Sequence, residues 1–305
     1  MNLNKILTIV CICFLFSTYY IVAAQVSLGK DPVRLRMGFD ISFISDKELD
    51  LKDAKAAMDL WVKNLDERLK LAAENYFYLN TDSIMKDFND GKLDLVTITS
   101  LNYIRIAQGI DAELGYTLVK NGKKTHKYIL LTQRKSGFNK LEDLKNKRLV
   151  IKTGDNTGLL FLNTLLLREN LEEADKFFSV KEKKKFSRAV LAVFFGNAHA
   201  CVTTDTLFKT MVELNPQVGK RLKIMASSPE IINNVSFFRR GYEENAKKLL
   251  NSAISKIKED VQGQQILMLF NMDGISKLEK SDLESLKSLA DEYDALKMKK
   301  KTDLQ

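Results

Sequence analysis

Gly91-Lys92-Leu93-Asp94-Leu95-Val96-Thr97-Ile98-Thr99-Ser100-Leu101-Asn102-Tyr103 is the stretch that decides the fold. Leu93 to Ile98 reads as a strand. It runs straight into Ser100, which is placed to cap a short helix carrying Tyr103. Gly91 ends a preceding helix that Thr81-Asp82-Ser83 opens. A strand feeding directly into a helix is the repeating unit of an α/β sheet with mostly parallel strands.

The same alternation extends in both directions. Upstream, Val33 to Phe39 alternates apolar and polar residues as a strand does. A helix is expected from about Leu51 to Ala72, with Ala54, Met58, Trp61, Leu65 and Leu69 forming one apolar stripe. Tyr76 to Leu79 is a short aromatic strand. Downstream, Tyr128 to Thr132 begins a second unit. Leu141 to Asn146 is a short helix, Arg148 to Lys152 a strand, and Thr153 to Gly158 a turn into an apolar helix that runs through Leu167. Further strands are expected at Ala198–Val202, Leu222–Met225 and Val235–Phe238. Helices are expected from Lys185 to Phe195 and from Thr204-Asp205 onward. From Gly241 the pattern is purely helical, with a capping box from Ser281 to Glu284 before the last helix. The chain therefore leaves a first lobe (25–125), builds a second (126–225) and returns (226–305). Its crossing segments are expected near Lys127–Thr132 and Arg221–Ala226.

Composition narrows the function. The 305 residues are 45% hydrophobic and 29% charged with 3 prolines, an ordinary globular balance that excludes a disordered or fibrous chain. Forty-eight basic against 39 acidic residues give a formal charge of +9. The clusters are short, at Lys181–Lys185 and Lys297–Lys301, and lack the interleaved aromatics of a nucleic-acid groove, so no nucleic-acid partner is indicated. Residues 1–24 read as a secretory signal peptide: Lys5, an apolar run from Ile6 to Ile21, then Val22-Ala23-Ala24, with cleavage before Gln25. The alternative is an uncleaved N-terminal membrane anchor. Removing 1–24 takes Cys11 and Cys13 and leaves Cys201 without an internal disulfide partner, which suits a periplasmic protein held by its core.

With those elements in order, the chain resembles the substrate-binding proteins of phosphonate, phosphite and phosphate ABC importers. Three stretches carry the resemblance. Gly91 to Tyr103 is similar to the family's Gly-x-x-Asp, hydrophobic run, small-x-x-Tyr segment. Leu141 to Leu149 is similar to its Leu-x-Asp-Leu-Lys-Gly-Lys-Arg segment, and Ala189 to Cys201 to its Ala-Val-x-x-Gly-x-Ala-Asp-Ala segment. The resemblance implies a two-lobed type II periplasmic binding fold, each lobe a mostly parallel sheet flanked by helices, joined by a two-segment hinge. It implies a monomer that closes over a small phosphonate- or phosphate-like anion and presents it to a membrane permease, with no cofactor. A sensor signalling to a membrane-bound kinase is the first alternative, and an enzyme on the same fold the second.

Helix starts attract anions through free backbone N–H groups. Two starts are expected to converge on the ligand: Ser100 with Tyr103, three apart and on one side of the first turn, and Asp155-Asn156-Thr157-Gly158. Asp205, at another helix start, is a further candidate ligand-binding residue. Where the family carries Ser-Thr-Ser this chain has Asp155-Asn156-Thr157, and where it carries a histidine the chain has Phe186. Asp155 would repel a dianion unless it points away as an N-cap. Catalytic readings are weak. The two histidines, His126 and His199, are far apart in sequence, so no metal spacing appears. His199 and Cys201 share a strand face, where a packing role competes with a Cys–His dyad.

Overall fold

The computed structural model describes residues 33–40, 51–232 and 234–303. The signal segment expected at 1–24 lies outside them. In chain order the elements are β1 (Val33–Asp40), α1 (Leu51–Leu69), β2 (Leu71–Tyr78), α2 (Thr81–Asn89), β3 (Leu95–Thr99), α3 (Ser100–Ile106), β4 (Ala112–Leu114), β5 (Tyr116–Val119) and β6 (Thr125–His126). Then come β7 (Tyr128–Gln133), β8 (Arg148–Lys152), α4 (Asn156–Arg168), α5 (Ala174–Phe177), β9 (Ser179–Lys183), α6 (Phe186–Phe194), β10 (Ala200–Thr204), α7 (Asp205–Leu214) and α8 (Pro216–Arg221). The return comprises β11 (Leu222–Ser227), β12 (Ile231–Ile232), β13 (Asn234–Arg239), α9 (Glu244–Ser255), α10 (Val261–Leu269), β14 (Gly274–Lys277) and α11 (Glu284–Thr302).

Two five-stranded sheets organise the two lobes, in the orders β2-β1-β3-β13-β4 and β11-β7-β10-β8-β9. Both are mostly parallel in strand direction, as expected: β1, β3 and β4 run one way with β13 against them, and β8, β9, β10 and β11 run one way with β7 against them. β1 with β3, β10 with β8 and β8 with β9 run parallel, the directions that helical crossovers impose. β13 runs antiparallel to β3 and β4, and β7 runs antiparallel to β10 and β11, because these strands enter from the opposite lobe. The core follows the sheets. Ile84, Phe88, Val96, Ile98 and Phe237 pack in the first lobe. In the second, Leu130, Leu149 and Val202 of the sheet pack with Phe161 of α4 on one face, while Ile129, Leu131 and Val150 pack with Val190 of α6 on the other.

Several boundaries differ from the sequence reading for identifiable reasons. α1 stops at Leu69 because Lys70 takes a left-handed φ of 52°, so Leu71 and Ala72 open β2 instead of ending the helix. β4, β5, β6 and β14 are too short to show a period-two signal. The crossing segments are not at 127–132 and 221–226, which are the paired strands β7 and β11 of the second sheet. The crossing is made by β6 and β12, which pair antiparallel between the sheets, His126 opposite Ile231.

The end of the chain also departs from expectation. Residues 226–305 are expected in the first lobe, and within them α11 lies along α4 of the second. Leu283 sits in the first-lobe core, while Leu286 and Leu289 sit in the second-lobe core. The chain thus crosses a third time within three residues. The capping box ahead of α11 is Glu279 with Asp282, whose carboxylate accepts from the Glu279 N–H at 2.9 Å, not Ser281 with Glu284.

Candidate functional site

The carboxyl ends of β1 and β3 in one lobe and of β8 in the other point at a shared cleft of about 300 Å³. Ligands of open α/β sheets collect at such strand ends, where loops and helix starts expose polar groups. The first-lobe wall is a relay. Asn102 Nδ2 donates to Thr81 Oγ1 at 2.6 Å, and that hydroxyl donates to Asp40 Oδ2 at 2.9 Å. Asp40 is 1% exposed, so its carboxylate is held inside the protein by this partnership. Asn80 and Thr99 complete the wall as N-caps of α2 and α3, accepting from Ser83 N–H and Asn102 N–H.

The second-lobe wall is built by a tight turn after β8. Gly154, at φ 74°, turns the chain so that Asp155 becomes the N-cap of α4. Asp155 Oδ1 accepts from Gly158 N–H at 3.0 Å and from the Tyr128 hydroxyl at 2.9 Å. A Cβ on Gly158 would lie 2.1 Å from Asp155 Oδ2, so the cap requires glycine there. Asn156 and Thr157 face the cleft beside it. Lys152, buried at the end of β8, lays its ammonium 5.7 Å from the Phe186 ring centroid and donates to Thr153 O at 3.3 Å. The cleft thus offers two carboxylates, one buried ammonium, and a set of hydroxyls and amides.

Among the sequence-derived candidates, Asp155, Asn156 and Thr157 line the cleft, and Gly158 supports it from behind. Ser100 and Tyr103 do not line it. Ser100 is fully buried and its hydroxyl donates to the Ile232 carbonyl of the crossing strand β12. Tyr103 packs its ring 5.2 Å from that of Phe237 in the first-lobe core, where burial raises its hydroxyl pKa. Thr99 and Asn102 take their places. Asp205 is spent on the chain: its Oδ1 accepts from Lys127 N–H and Thr206 N–H, both at 2.8 Å, which pins the crossing segment to α7. Asp40, Thr81, Thr99 and Asn102 escaped the sequence reading. The available signal was a polar residue at the last position of a strand, true of Asp40, Thr99 and Lys152 alike.

The Asp94 of the opening motif is structural. Arg36 reaches it through Nε and Nη2 at 2.8 Å each, and Arg239 through Nη2 at 3.0 Å. Burial works to raise this carboxyl, but the two arginines and the Arg36 N–H outweigh it and hold its pKa below the usual carboxylate range. The possible dyad dissolves too. Burial pushes the Cys201 thiol pKa well up, which disfavours a thiolate, and His199 Nδ1 accepts the Arg148 N–H at 3.0 Å. Among the described residues no group of three His, Cys, Asp or Glu side chains could hold a metal ion, and no helix is long and apolar enough to cross a membrane.

The family model described as "ABC transporter, phosphonate, periplasmic substrate-binding protein" matches residues 49–283. The chain belongs to this family. Its members are solute-binding components that work with a small-molecule ligand and a membrane permease. Solved structures agree on the two-lobed type II fold. PhnD1 from Prochlorococcus marinus, in complex with methylphosphonate, is 18% identical with a TM-score of 0.62 over 86% of this chain and 99% of its own. XAC2383 from Xanthomonas citri, solved with chloride and with ATP, is 14% identical with a TM-score of 0.63 over 87% and 98%. The aliphatic sulphonate binding protein SsuA from Escherichia coli is 14% identical with a TM-score of 0.54 over 88% and 94%.

Proposed function

We propose that this protein is exported and delivers to an ABC importer a phosphonate-class solute that also carries an ammonium group. The observation that carries the ligand assignment is the pair of carboxylates, Asp40 and Asp155, lining one cleft with the buried Lys152. A bare phosphate-like dianion would meet both carboxylates in a partly desolvated space, where like charges repel strongly. Asp155 also fills the α4 N-terminus that an anion would otherwise use, since its own oxygen takes the Gly158 N–H. A zwitterion resolves the conflict, with its ammonium toward Asp40 and Asp155 and its anionic end toward Lys152 and Thr157. The lobes close over it about the β6–β12 crossing.

Titration calorimetry with aminoethylphosphonate, methylphosphonate and inorganic phosphate tests this reading. The aminated ligand should bind at least about tenfold tighter than methylphosphonate, the scale of one charge-assisted hydrogen bond. Asp155→Asn should erase that preference. Equal or tighter binding of methylphosphonate or phosphate by the unaltered protein would overturn the ligand class, and identical scattering profiles with and without saturating ligand would overturn closure.

A further inference from the structure

Behind the cleft lies a second chamber of about 200 Å³ that shares no lining residue with it. The partition between them is aromatic: Tyr128 stands 6.4 Å from Phe186 and 5.1 Å from His126, centroid to centroid. Both lobes and the crossing strand build the chamber. Lys120 and Lys124 come from the first-lobe side, His126 from β6, and Lys185, Phe186 and Leu207 from the starts of α6 and α7. No acidic side chain lines it.

We propose that this chamber is a second binding site, which takes an oxyanion group carried on an apolar body. The charge is the first argument. Lys124 is neutralised outside by Asp282, at 3.0 Å, but Lys120 has no carboxylate within ion-pair distance among the described residues. Burial lowers the Lys120 pKa although Asp273, beyond ion-pair distance, works to raise it, so the ammonium is held at a cost that an anion in the chamber relieves further. The second argument is an orphan. His126 Nε2 is buried and has no hydrogen-bond partner among the described residues, although buried polar atoms are normally paired. Burial lowers the His126 pKa to about 4, so the ring is neutral at physiological pH, and its Nε2–H tautomer donates to an anion without needing a charge. The third argument is the wall. Phe186 and Leu207 offer apolar surface beside the cationic groups, which suits an anion with an organic body over a small inorganic one. Occupancy would tie Lys120 of one lobe to Lys185 of the other beside the crossing strands, so the site sits where it can bias closure.

Phenylphosphonate and inorganic phosphate are matched probes, alike in charge and different in apolar body. Histidine side-chain resonances in a nitrogen–proton NMR spectrum provide the readout, because the chain has 2 histidines and His126→Gln assigns the signal. Phenylphosphonate should shift the His126 signal saturably, and more weakly as salt rises. Phosphate should bind less tightly, and Lys120→Gln should weaken phenylphosphonate about tenfold. A His126 signal that stays still at millimolar phenylphosphonate, or a titration unchanged in Lys120→Gln, would overturn the proposal. Because His126 packs on Tyr128 of the cleft wall, the two sites are separated by variants: Asp155→Asn alters the cleft alone and Lys120→Gln the chamber alone. A response that survives Asp155→Asn but weakens in Lys120→Gln keeps the second site even where the protein binds no aminated phosphonate and the transport reading is lost.

Discussion

The third crossing of the chain makes α11 a brace between the lobes, and Leu286→Ala is the perturbation that measures it. Leu286 and Leu289 are 1% and 2% exposed in the second-lobe core. Truncating one such leucine removes its transfer free energy and leaves a cavity, a loss of about 2–5 kcal/mol. The polar contacts of the same helix look more conspicuous and should matter less. Glu292 accepts from Arg168 at 2.6 and 2.7 Å, but the two side chains are 39% and 44% exposed. Water already solvates them, so Glu292→Ala should cost less than about 1 kcal/mol. Urea unfolding followed by far-UV circular dichroism and by fluorescence separates the two effects. Trp61 is the single tryptophan and lies buried in first-lobe α1. In the unaltered protein the two probes should coincide, because Leu283 and the α11 that follows it tie the two cores together. In Leu286→Ala the second lobe loses its brace, so the dichroism midpoint should fall ahead of the Trp61 midpoint. A Leu286→Ala midpoint shifted no more than that of Glu292→Ala would refute the reasoning, because ion pairs rather than burial would then hold α11.

Three further outcomes are expected. Asp94 keeps a lowered pKa in the folded state, so its stabilisation is fully present above the ordinary value of 3.8 and is lost as pH falls through the folded pKa; Asp94→Asn should cost about 1–3 kcal/mol near neutral pH and flatten the acid limb of a stability–pH curve. Gly158→Ala drives a methyl group into Asp155 Oδ2 and should lower ligand affinity at least about tenfold while costing about 1–2 kcal/mol of stability, read by calorimetry and thermal melting. Cys201, fully buried with a raised pKa, should react with a thiol reagent only at the rate of unfolding, so rapid labelling of native protein would contradict its placement in the core.

The α/β alternation and the two-lobe path were legible because long apolar runs such as Leu149-Val150-Ile151 can only be buried strands or short pieces of buried helix, and the flanking turns decide between them. Short elements were not legible. β6 and β12 are two residues each, and what makes them strands is their pairing with each other across 105 residues of sequence. Their partnership also relocates the crossing, which no local pattern could reveal. α11 was legible as a helix but not as a second-lobe element, since its apolar face does not say which core will take it.

The site illustrates the sharpest form of this limit. Both converging helix starts were identified, yet at one of them the reading is off by a single residue. β3 ends at Thr99, and Thr99 rather than Ser100 is the N-cap of α3. Each residue advances a helix by about 100°, so moving the cap by one rotates the assignment of every side chain on the first turn. Ser100 and Tyr103 share one face, and Thr99 and Asn102 share the next. The first face points at Ile232 and Phe237 inside the lobe, and the second lines the cleft. Both faces carry one hydroxyl and one larger polar group at a spacing of three, so residue chemistry alone cannot choose between them. At the other start Asp155, Asn156 and Thr157 could each cap, and the sequence leaves Asp155 open between capping and facing the ligand; the left-handed turn at Gly154 directly before it makes Asp155 the cap. A positive φ at Gly154 fixes the second-lobe cap through the backbone, whereas at the first-lobe start two neighbouring hydroxyls, Thr99 and Ser100, compete for the same role.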